Sequence, residues 1–98
     1  MKECGCSHRV KKREGEEKKR LLNRLARIEG QVRGVRGMVE EDAYCTDVLL
    51  QVSAIRSALE AFQRELLSEH IRTCVSKDIR AGKKETVEEL IETLRRIK

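Results

Sequence analysis

The sequence has no proline and no tryptophan, and it holds one tyrosine and one phenylalanine. The missing proline removes the residue that most firmly breaks helices, so long uninterrupted helices are permitted. The missing aromatics limit how much apolar area a chain of 98 residues can bury by itself. One domain at most is expected, and self-association is the remedy for so thin a core. No apolar run is long enough to span a membrane, and the segment from Met1 to Cys6 lacks the hydrophobic stretch of a secretory leader. The chain is therefore expected in the reducing cytoplasm, with no membrane partner. Its four cysteines are expected as thiols or metal ligands, not disulfides. No Ser-His-Asp set, paired carboxylates or phosphate-cradling glycine loop stands out, so an enzyme is not expected. Helix-turn-helix and zinc-finger spacings are missing too.

What the chain does have is charge, unevenly placed. Residues 9–36 hold eleven Lys or Arg against four Glu, a balance of +7 within a formal total of +5, leaving −2 elsewhere. That asymmetry points to a polyanion, nucleic acid before membrane, since no bulky apolar face accompanies it. A merely solubilising surface is the competing explanation.

Residues 1–15 are polar and without periodicity and read as a mobile tail, ahead of a helical domain over 16–98. From Glu16 onward Leu21, Leu25, Ile28, Val32, Val35 and Val39 alternate spacings of four and three, the seam of a packed helix. Arg20, Arg24, Arg27 and Gln31 fall beside that seam as a basic stripe. Gly30, Gly34 and Gly37 share another face, and each costs about 1 kcal/mol in a helix, so a close backbone approach is expected there. Residues 41–44 read as a short connection. A second helix is expected from about Thr46 to about Lys77, capped by Thr46 or Asp42, with the seam Val48, Val52, Ile55, Leu59, Phe62 and Leu66 continuing to His70. Ala81-Gly82 should end it, and a shorter third helix carries Val87, Leu90, Ile91, Leu94 and Ile97. The expected class is all-α, with a three-helix protomer that forms half of an antiparallel bundle.

His70 and Cys74 stand four residues apart, the spacing of a chelating pair on one helix face. Cys45 falls on nearly the same line of the helical wheel. A lone histidine there is more often a core residue and a lone cysteine a small hydrophobe, but three aligned donors favour a metal. An unbroken helix separates Cys45 from His70 by about 37 Å, so one chain cannot bring them to one ion. Two chains packed antiparallel can, with Cys45 of one beside His70 and Cys74 of the other. Two thiolates and an imidazole form a soft, three-donor set that suits copper(I). Zinc would seek a fourth ligand, which Cys4, Cys6 or His8 could supply.

The run Arg24-Leu-Ala-Arg-Ile-Glu-Gly-Gln-Val-Arg-Gly-Val35, with Met38-Val39-Glu40 and Tyr44-Cys45-Thr46-Asp47-Val48-Leu49, closely resembles the copper-sensitive operon repressor (CsoR) family. The resemblance continues through Gln51 to Ala54, Leu66-Leu67, Glu69-His70 and Cys74-Val75. It implies a three-helix protomer, an antiparallel dimeric four-helix bundle and a dimer of dimers. It also implies a repressor whose metal-free form binds GC-rich operator DNA and which copper(I) releases. Cys45, His70 and Cys74 match the family's copper-sensing Cys-His-Cys pattern. Nickel or cobalt relatives resembling RcnR carry histidine at the position of Cys74, and persulfide-sensing relatives lack the histidine. A thiol or persulfide sensor using Cys45 and Cys74 is the alternative. Tyr44 and Glu89, or Glu88 in its place, match family residues that connect metal with DNA affinity. Arg24 matches a DNA-contacting position. Arg20 and Arg27 extend that surface, with Lys18, Lys19 and Arg56 as weaker candidates.

Overall fold

The computed structural model of the chain describes Arg13 and residues 15–97. The tail proposed for residues 1–15 otherwise lies outside the described residues, and with it Cys4, Cys6 and His8. All regular structure among the described residues is helical. Helix α1 spans Gly15–Glu40 and α2 spans Cys45–His70. A π-helical turn, Ile71–Val75, then leads into the short α3, Ser76–Arg80. His70, Val75 and Ser76 all keep right-handed helical angles, so the helical backbone continues from the end of α2 through the wide turn into α3. Helix α4 spans Glu85–Arg96. The expected three helices are present, the second with an inserted residue.

Each helical stretch ends for a local reason. After α1, the Asp42 amide donates to the Val39 carbonyl (3.1 Å) and the Ala43 amide to the Met38 carbonyl (2.8 Å). These paired bonds turn the chain through a left-handed residue, Asp42, at φ 59°. The same closure follows α3, where Gly82 donates to Ile79 (3.0 Å) and Lys83 to Asp78 (2.8 Å). Gly82, at φ 81°, takes the left-handed position without a Cβ penalty. The predicted stop at Ala81-Gly82 is thus met. The predicted caps of α2 are not, because Asp42 serves the end of α1 instead. The Tyr44 carbonyl opens α2 by accepting from the Asp47 (3.1 Å) and Val48 (3.2 Å) amides. α2 begins one residue early, at Cys45, and the helical backbone runs to Arg80 instead of Lys77. Glu85 and Glu88 in the first turn of α4 and Arg95 and Arg96 in its last complement the helix dipole.

Two compact units divide the chain at Glu65 and Leu66. In the first, α1 and α2 as far as Glu65 form a helical hairpin about the 41–44 connection. Leu21 and Ile28 of the predicted seam are buried, while Val32, Val39, Val52 and Leu59 remain exposed. A two-helix hairpin covers only one flank of each helix, so half of the seam is left over for another surface. The expected close approach at the glycines does not occur among the described residues of the chain. A Cβ at Gly34 or Gly37 would meet open space, and at Gly30 only the tip of Arg33. In the second unit α4 packs against the π-helical turn. There Cys74, Val75, Glu69 and Thr86 are buried. The Thr86 hydroxyl donates to the Asp78 carboxylate, tying the start of α4 to α3.

Candidate functional site

The π-helical turn lies between the two donors that the sequence pairs. His70 is the last residue of α2 and Cys74 the fourth of the wide turn. A π turn loosens the backbone ladder, and such insertions gather at functional positions. Here side chains secure it. The Thr73 hydroxyl donates to the Glu69 carbonyl at 2.8 Å and the Ser76 hydroxyl to the Ile71 carbonyl at 2.9 Å. The Ser76 amide also donates to that Ile71 carbonyl, the five-residue closure that defines the turn. Thr73 further places its hydroxyl 3.8 Å from the Cys74 sulfur. His70 is half-buried and Cys74 fully buried, so the pair sits at the edge of a packed layer.

Cys45 is an exposed thiol at the start of α2, whereas Cys74 is fully enclosed by its own packed layer.

Cys45 opens α2 and His70 closes it, and a helix of 26 residues holds its ends about 37 Å apart. Among the described residues no group of three or more His, Cys, Asp or Glu is gathered as a metal site within the chain. Tyr44, directly before Cys45, is 73% exposed. On α4, Glu89 is half-buried and Glu88 exposed, which favours Glu89 as the carboxylate facing the packed layer.

The basic stripe lies on α1. Arg27, Lys18, Lys19 and Arg56 are exposed, as a phosphate-contacting surface needs. Arg20 and Arg24 carry a feature the sequence did not reveal. Their guanidiniums converge on one carboxylate, Glu65 of α2, at 2.6 and 2.8 Å. The Arg20 hydrogen bond, and then the charges of Arg20 and Arg24, lower the Glu65 pKa below its ordinary value against the opposing effect of desolvation. The signal for this pairing was present: Arg20 and Glu65 stand equidistant from the 41–44 turn. In the second unit Arg13 lies 3.6 Å from buried Glu69. Glu65, Glu69, Thr73 and Ser76 are the residues that spacing arguments passed over.

The described residues thus form an all-helical protein with a basic stripe on α1 and an imidazole and a sulfur on a distorted turn. Residues 17–96 match the metal-sensitive transcriptional repressor family, and the chain belongs to that family. Its work is regulation of transcription, not catalysis. It is 43% identical over 81 residues to the copper-sensing transcriptional repressor CsoR of Bacillus subtilis, spanning 82% of this chain and 80% of that protein. Over 67 residues it is 48% identical to the copper-sensing transcriptional repressor RicR of Mycobacterium tuberculosis, 68% of this chain and 70% of the relative. The crystal structure of the copper-sensing repressor CsoR with Cu(I) from Geobacillus thermodenitrificans superposes with a TM-score of 0.85 at 43% identity, covering 89% and 92% of the two chains. The nickel-responsive regulator InrS gives 0.71 at 41% identity, covering 89% and 97%. The fold thus serves more than one metal, and the donor set has to discriminate.

Proposed function

We propose that this chain is a copper(I)-responsive transcriptional repressor. In this reading the metal-free protein binds a GC-rich operator and copper(I) at an intersubunit Cys45–His70–Cys74 site releases it. The observation that carries it is the placement of the three donors: one at the start of α2, two across its end. That arrangement is complete only when α2 of a second copy runs antiparallel, bringing Cys45 beside His70 and Cys74 of the partner subunit. The exposed half of the seam, Val32, Val39, Val52 and Leu59, gives the second copy an apolar surface to cover. A dimer of dimers in the cytoplasm is the assembly we infer. No described helix is long and apolar enough to cross a membrane.

The donors fit the metal. Two thiolates and one imidazole are soft and few, which suits copper(I) better than zinc or nickel. Bound copper(I) would supply a fixed charge that ties the two α2 helices together. The rest is done by the protein. Thr73 and Ser76 hold the wide turn that presents His70 and Cys74, and the half-buried Glu89 of α4 is the carboxylate that would orient the imidazole. Tyr44 flanks Cys45 on the other subunit. Arg24, with Arg20 and Arg27, contacts phosphates or groove edges, aided by Lys18 and Lys19.

The deciding experiment is an anaerobic titration of reduced protein with copper(I), zinc and nickel while operator binding is followed. One copper(I) per protomer should bind and release the DNA. Cys45→Ser, His70→Ala and Cys74→Ser should each abolish release and leave DNA binding intact. Variants that still respond fully would move the site elsewhere.

A further inference from the structure

We propose that Glu65 is a built-in competitor for the DNA-facing arginines, setting how tightly the metal-free protein holds nucleic acid. The proposal rests on the reading of the basic stripe given above.

The Glu65 carboxylate is fully committed to these two side chains. Its Oε2 accepts from Arg20 Nε at 2.6 Å, and its Oε1 lies 2.8 Å from Arg24 Nε. Charge-assisted contacts of this length are the same kind that a guanidinium makes with phosphate. The arginines nevertheless remain accessible, with side chains 55% and 43% exposed. A phosphate can therefore reach both guanidiniums, but it meets a group already neutralised by half. Three charged groups sum to +1 where the arginines alone would present +2. With its pKa lowered by the Arg20 hydrogen bond first, Glu65 stays ionised at neutral pH and the competition is permanent.

A purely structural role explains the carboxylate less well. Both guanidiniums are about half exposed, so water screens the pairs and two long side chains must be ordered, which limits what they add to stability. What the carboxylate does change is the charge that the stripe offers to a polyanion. A repressor that must let go of DNA gains from an affinity kept below its electrostatic maximum, because the metal then has less binding energy to overcome.

Glu65→Gln keeps the shape and removes the charge. Glu60→Gln removes the same charge from an exposed position of the same helix and serves as the control. Reduced, metal-free proteins are compared for binding to a GC-rich synthetic duplex across a salt series and for elution from immobilised heparin. Helix content by circular dichroism confirms folding, and copper(I) stoichiometry confirms the metal site. Glu65→Gln should tighten duplex binding roughly three- to tenfold at low salt and steepen the salt dependence by about one unit, as one further phosphate contact would. It should elute later from heparin than the Glu60→Gln protein. In an Arg20→Ala/Arg24→Ala background the same change should shift heparin elution no more than Glu60→Gln does. Equal effects of the two Gln variants would show bulk charge alone and overturn the proposal. Weaker binding by Glu65→Gln would also overturn it, by showing that the carboxylate orients the arginines for DNA. If the wild-type chain binds neither duplex nor heparin, the DNA-facing reading itself fails, whatever Glu65 does.

Discussion

Subunit complementation tests the shared site most directly, because helix length fixes its outcome. Cys45 and His70 are the first and last residues of a 26-residue helix, about 37 Å apart along the axis. Metal–sulfur and metal–nitrogen bonds are only about 2.0–2.3 Å long. No side-chain rotation closes that gap, and the helix has no internal proline or glycine to fold it back. A Cys45→Ala homodimer and a His70→Ala/Cys74→Ala homodimer should therefore each lack both sites. When the two variants are refolded together in equal amounts, about half of the dimers are mixed. In a mixed dimer one site loses all three donors. The other takes Cys45 from the double variant and His70 with Cys74 from the single variant, and is whole. Tight copper(I) binding should return at roughly one ion per four protomers in the mixture, rising to about one per dimer after the mixed species is isolated. Competition with a copper(I) chelator under anaerobic, reducing conditions reads the stoichiometry, and mass spectrometry confirms the mixed dimer. No recovery in confirmed mixed dimers would refute the antiparallel site.

Three further outcomes are expected. Glu89→Gln should leave copper affinity within about tenfold but shrink the difference in DNA affinity between metal-free and loaded protein, so undiminished release would direct attention to Glu88. Asp42→Gly should stabilise the fold by about 0.5–1 kcal/mol in thermal or denaturant unfolding, and Asp42→Ala should not, since the position at φ 59° favours a residue without Cβ. Because Glu65 has a lowered pKa, its ion pairs are present above 4.5 and lost as pH falls through the lowered value; carboxyl NMR should show a midpoint below 4.5 that moves upward in Arg20→Ala.

Much of the fold was written in periodicities that depend on few residues at a time. The four-three spacing from Leu21 to Val39 and from Val48 to Leu66 located both long helices to within a residue or two of their observed starts. Gly82 marked its turn because glycine is the ordinary occupant of a left-handed position. Asp42 does the same work after α1 and was misassigned as a cap for α2. An aspartate suits both places, and only the observed hydrogen bonds decide between them. The π-helical turn was invisible for a related reason. Ile71-Arg-Thr-Cys-Val75 contains nothing that an α-helix would reject. The inserted residue becomes evident through its closure, the Ser76 amide and hydroxyl on the Ile71 carbonyl.

The proposed donors stood out in the sequence because sulfur and imidazole are rare side chains with specific chemistry, and a spacing of four between His70 and Cys74 places them on one helix face. Their supporting residues are common ones whose roles depend on tertiary contact. Thr73, Ser76 and Glu65 look like ordinary polar positions until the carbonyl or guanidinium each engages is known. The charge asymmetry shows the same division. Composition put the positive charge on residues 9–36, but net charge per segment cannot show that a glutamate forty-five residues from Arg20 returns to neutralise part of it. Folding the two helices about the 41–44 connection supplies the missing step, since that hairpin places Arg20 opposite Glu65. In the proposed reading the charge of the basic stripe is set by pairs across the hairpin, and substitutions on α2 should alter DNA affinity without touching a single basic residue.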